Sequence, residues 1–117
     1  MSKPSAVESP EPALVEGIDI DALARAVRHC PSVDDLDGGP LGGMATYLPG
    51  RRVPGVNIGD VIEIQVRSVW GVPAVEVARQ IRTATAALVR QRRVDVVVSD
   101  ITDPAVAALP PAVPAVH

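Results

Sequence analysis

The sequence contains no phenylalanine, one tryptophan, one tyrosine, one cysteine and a single lysine. Each shortage removes a class of answer. With Trp70 and Tyr47 as the only rings apart from histidine, a core has to be built from Val, Ile, Leu and Ala. The same shortage leaves no series of rings on which single-stranded bases would stack. Cys30, being alone, excludes an internal disulfide and favours a reducing compartment. The opening "MSKPSAVESPEPALVEG" lacks an apolar core of signal-peptide type. The longest apolar stretch, "PAVAALPPAVPAV", is interrupted by prolines and too short to span a bilayer.

What is present suits one small domain. The chain has 117 residues and a net charge of −3. Between Ile18 and Ile101 ten arginines face ten carboxylates, so the excess acid lies at the ends, in Glu8, Glu11, Glu16 and Asp103 against Lys3. Residues 1–17 are rich in Pro, Ser and Glu and read as a disordered tail. Residues 103–117 repeat Pro and Ala and read as a flexible tail. The foldable domain spans 18–102, and a domain of this size buries roughly 60% of its unfolded surface.

Within it, "DIDALARAVRHCPSV" predicts a helix: Asp19 is the N-cap, Ile20, Leu23, Ala24 and Val27 form the apolar stripe, and Pro31 ends it. "DDLDGGPLGG" reads as a turn-rich loop, "MATYLP" as a strand, and "VPGVNI" as a second. Gly59-Asp60 predicts a hairpin of type II′ leading into "VIEIQVRSVW". That strand places Ile62, Ile64, Val66 and Trp70 on one face and Glu63, Gln65 and Arg67 on the other. After Pro73 a second helix is expected, with a stripe of Ala74, Val77, Ala78, Ile81, Thr85 and Leu88. "VDVVVSDI" closes the domain as a strand with Val94, Val96 and Val98 on one face. The expected fold is α+β: a small two-layer domain of order α-β-β-β-α-β, with two helices packed on one face of a mainly antiparallel sheet.

Four motifs invite chemistry, and three fail on residue type or spacing. "VWGVPAVEVARQIR" resembles a strand–turn–helix anion cradle, but it has one glycine, no lysine, and a proline in place of an amide. The loop carrying Asp34, Asp35 and Asp37 does not fit an EF-hand, because the glycine position would be Pro40 and the bidentate glutamate Thr46. His29-Cys30 has no second cysteine and no convergent histidine, so neither a zinc site nor a nucleophile pair is built. His29 reads as a helix C-terminal residue and Cys30 as a small buried hydrophobe. No catalytic residue, cofactor or metal site is expected. The fourth motif is the cluster Arg79, Arg82, Arg90, Arg92 and Arg93, of which Arg79, Arg82, Arg90 and Arg93 fall near one helical face. These four, with Glu63, Gln65 and Arg67 on the wet face of the sheet, are the candidate partner-binding residues. A nucleic-acid module using the same arginines is the alternative.

The segments "CPSV…GGPLGGMATYLPGRRVPGVNI", "VIEIQVRSVWGVPAVEVARQIR" and "VDVVVSDI" together resemble the bacterial alkaline-shock, or envelope stress response, protein family. Gly55-Val56 matches the first strand, Trp70-Gly71-Val72 the aromatic-Gly-Val turn, and Glu76-Val77-Ala78 with Ile81 the following helix. The family often has Tyr at the position of Trp70 and Pro at that of Val75. The resemblance implies a non-enzymatic scaffold or adaptor in cell-envelope homeostasis. It further implies a cytoplasmic homo-oligomer held at the inner face of the membrane by a small membrane-anchored partner, without insertion of its own.

Overall fold

The computed structural model describes residues 14–102. Two helices lie against one face of small, mostly antiparallel sheets, an α+β architecture as expected. The described residues open with a short ladder, β1 (Leu14–Val15) against β2 (Ile18–Asp19), turned by Glu16-Gly17. Helix α1 (Ile20–Arg28) follows at once. Asp19 caps it, its Oδ1 accepting from the Ala22 N–H at 3.0 Å, and Ile20, Leu23, Ala24 and Val27 are buried. Residues 14–17, assigned from sequence to the N-terminal tail, therefore include paired backbone. The rest of both tails lies outside the described residues.

The sheet is organised around β7 (Val61–Val69). One edge of β7 carries β8 (Arg93–Thr102) in parallel along its whole length. The other edge is shared end to end by β6 (Val56–Ile58) and β3 (Val33–Leu36), both antiparallel to β7. The separate hairpin of β4 (Ala45–Leu48) and β5 (Arg51–Pro54) is tied to β6 where Thr46 Oγ1 donates to the Val56 carbonyl at 2.6 Å. Helix α2 (Ala74–Thr85) connects β7 to β8, opening where the Pro73 carbonyl accepts from the Glu76 and Val77 amides. The core joins Ile62, Ile64 and Val66 of β7 to Val94 of β8, Leu23 and Val27 of α1, and Val77 and Ile81 of α2.

Five local expectations are corrected. The start of the turn-rich loop is strand β3, whose two ends, Val33 and Leu36, are buried although Asp34 and Asp35 stand between them. "VPGVNI" is two strands broken at Gly55, which has a φ of 81°. Gly59 does not take the positive φ that a type II′ turn requires, and the hairpin closes instead with Ile58 opposite Ile62. Trp70 leaves the sheet: the fourth inward position of β7 is Ser68, 1% exposed, while Trp70 is 62% exposed on a turn made by Gly71 at a φ of 93°. In α2 the buried stripe is Val77, Ile81 and Thr85, with Ala74 exposed and Leu88 beyond the helix end.

Candidate functional site

The arginines do not share one helical face. Helix α2 stops at Thr85, and the chain then turns back through Arg90 and Gln91, both with positive φ (54° and 67°). Arg79 and Arg82 lie on α2, Arg90 on the turn, and Arg93 on the first residue of β8. Arg79 is taken up locally by a two-pronged pair with Glu76, at 2.8 and 2.6 Å. This pair and a hydrogen bond from Gln80 bring the Glu76 carboxyl down to about 2, and Glu76 in turn pushes the Arg79 guanidinium up. Arg82 instead reaches across to β8, its Nε donating to the Val94 carbonyl at 3.1 Å.

Arg92, in the cluster but not among the four selected residues, is the most fully held. Its Nη1 donates to Glu16 Oε1 at 3.1 Å and to the Gly59 carbonyl at 3.0 Å, and its Nη2 donates to the Glu16 carbonyl at 3.0 Å. Helical spacing placed it off the chosen face, and the end of the helix makes that spacing irrelevant. Arg82, Arg92 and Arg93 line a cleft of about 480 Å³ with Asp95, while Arg79 lines a separate cleft of about 270 Å³.

Glu63, Gln65 and Arg67 project together from the uncovered face of the sheet, as the alternation of β7 requires. Arg67 Nε faces Asp34 Oδ2 at 3.4 Å, and Thr102 Oγ1 donates to the same oxygen at 3.2 Å, fastening β3 and β8 to β7. A bulge in β8 after Val98 turns Ser99 out of register, and its hydroxyl donates to Asp37 Oδ2. That bond, aided by the Gly39 amide, lowers the Asp37 pKa. The carboxylates of residues 34–37 thus face separate partners: Asp34 meets Arg67, Asp35 meets Arg28, and Asp37 meets Ser99. Among the described residues no group of three or more His, Cys, Asp or Glu side chains is placed to hold a metal ion.

The smaller cleft, between α1 and α2, contains His29, Cys30 and Gln80. Burial pushes the Cys30 thiol up, and its Sγ–H points at the Ala26 carbonyl 3.5 Å away, so the thiolate needed for attack is disfavoured. His29 Nδ1 lies 2.9 Å from the Arg25 carbonyl. Gln80 serves as a structural bridge, accepting from both the amide and the hydroxyl of Ser32 and donating to Glu76.

One backbone feature remains uncovered. Among the described residues β8 pairs with β7 alone, so its second edge has no partner strand. On that strand Val97 and Ile101 are each about half exposed, and no lysine or proline occurs between Arg93 and Thr102. No protein-family model, curated protein or solved structure matches the chain.

Proposed function

We propose that this protein is a non-enzymatic scaffold or adaptor of the envelope stress response, self-associating and recruited to the inner face of the cell membrane by an anchored partner. The envelope role rests on the resemblance carried by Gly55-Val56, Trp70-Gly71-Val72 and Glu76-Val77-Ala78. The observation that carries the scaffold reading is the second edge of β8. Natural edges are blunted by charge, proline or bulges; this strand has Asp95 and a bulge at Ser99, but between them Val96, Val97 and Val98 leave an uninterrupted apolar run. Such an edge accepts an added strand, from a like subunit or a partner. No described helix is long and apolar enough to cross a membrane, which fits recruitment through another protein.

The test is sedimentation of the full chain over a range of concentrations, beside Val97→Lys, which sets a charge on the exposed edge. The reading expects a wild-type assembly of two or more copies that the variant dissolves. Tagged protein should also recover a small membrane protein from cell membranes. A monomer at every concentration, recovered only in the soluble pool with nucleic acid, would overturn the proposal.

A further inference from the structure

We infer that the arginine cleft between the end of α2 and the start of β8 binds an acidic peptide segment of a partner protein. Three arginines, Arg82, Arg92 and Arg93, line the cleft with one carboxylate, Asp95, beside the buried Val89 and Val94, and Arg92 is itself paired with Glu16. Two of the three are oriented by a single bond that leaves further donors available. Arg82 is fixed through Nε on the Val94 carbonyl, and Arg93 through Nε on Asp95 Oδ1 at 2.9 Å, with its side chain 75% exposed. Guanidinium donors not occupied by those bonds suit the planar, two-oxygen acceptor of a carboxylate.

The chain already displays the ligand chemistry. Arg92 grips Glu16 twice, by the side-chain carboxylate and by the backbone carbonyl, which is how a peptide, rather than a free anion, is read. The Glu16 side chain is 54% exposed, so this internal carboxylate is accessible to replacement by one from a partner. The turn that presents the site is held in an unusual backbone state. Arg90 and Gln91 both occupy the left-handed region, which costs roughly 1–3 kcal/mol per residue and persists only where surrounding contacts enforce it. Nucleic acid fits less well, because neither Trp70 nor Tyr47 lines the cleft and no ring is available for base stacking. The site does not require a second copy of the chain, so it extends the scaffold reading without depending on the β8 edge.

Anisotropy of a fluorescein-labelled hexaglutamate peptide against the full-length protein tests this directly, with labelled hexaglutamine, inorganic phosphate and a single-stranded RNA as comparisons. Hexaglutamate should bind and hexaglutamine should not. The double variant Arg82→Gln/Arg93→Gln should weaken binding about tenfold, the size expected for two exposed ion pairs. Glu16→Gln, which removes the internal competitor, should tighten it severalfold. Asp35→Asn makes the same charge change at the far end of β7 and should leave affinity unchanged. Circular dichroism verifies that each variant is folded. Absence of hexaglutamate binding, indifference to the arginine variants, equal tightening by Asp35→Asn, or tighter binding of RNA or phosphate at the same arginines would each overturn the assignment. Sedimentation of the same samples reads self-association separately, so a monomer that binds the peptide and an oligomer that does not are told apart.

Discussion

The backbone of Gly55 lies directly against that of Gln65. The Gln65 amide donates to the Gly55 carbonyl at 2.8 Å, and a Cβ on Gly55 would stand 2.7 Å from the Gln65 carbonyl oxygen and 2.8 Å from Leu36 Cβ. This is the point where β6 gives way to β3 along one edge of β7, the Gln65 carbonyl passing on to the Asp37 amide at 2.9 Å. Gly55→Ala meets both a left-handed φ and a backbone clash. Destabilisation of about 2–5 kcal/mol is expected from the two together. Urea unfolding should show it, while Gly43→Ala, with nothing within 4 Å of the added carbon, should move the midpoint little.

That junction also marks where sequence reasoning succeeds and where it stops. Helix α1, the alternation of β7 and the valine face of β8 are legible because each is a run of one period facing one core. Strand β3 is hidden because "VDDL" has carboxylates at its centre, and what makes it a strand is the long-range pairing with residues 66–68. Trp70 breaks the β7 pattern for a different reason: the strand ends at Val69, so position 70 already lies on the turn made with Gly71. Among the candidate site residues, Glu63, Gln65 and Arg67 were placed by strand period alone. The arginine cleft was legible only as a cluster, since its shape depends on α2 ending at Thr85 and on a bond between Arg92 and a residue 76 positions away.

The cap of α1 gives a second prediction. Asp19 pairs with Leu14 in the β1–β2 ladder and at the same time accepts from the Ala22 amide. Asp19→Ala leaves that amide without its side-chain acceptor, and a loss of about 1 kcal/mol is expected. Asp19→Asn, which keeps the acceptor, should retain most of the stability in the same thermal or urea measurement.

Cys30 supplies a third. The residue is 5% exposed and its thiol pKa is raised by burial, so the reactive thiolate is scarce in the native state. Labelling by iodoacetamide at neutral pH should be slow in the folded protein and become fast on adding denaturant. Fast labelling of the native protein would show that the α1–α2 cleft opens readily to solvent.

The pair of Glu76 and Arg79 provides a pH prediction with a definite sign. The Glu76 carboxyl is held at about 2 against an ordinary 4.5, first by the Arg79 hydrogen bonds and then by that of Gln80. A depressed carboxyl stabilises the fold fully above its unfolded value, and the contribution disappears as pH falls through the folded value. The stability advantage of wild type over Glu76→Gln should therefore be largest above pH 5 and shrink between about pH 4.5 and 2. Because the pair is exposed, added salt should reduce the advantage at neutral pH as well. The carboxylate is also the end of a relay: Glu76 accepts from Gln80 at 3.0 Å, and Gln80 accepts from the Ser32 hydroxyl at 2.6 Å, joining α2 to the segment before β3. Gln80→Leu cuts this relay while sparing Arg79, and should raise the Glu76 titration midpoint by less than Arg79→Gln does. A carbon-13 titration of the Glu76 carboxyl reads both shifts. A wild-type midpoint at the ordinary glutamate value would show that the pair does not persist in solution.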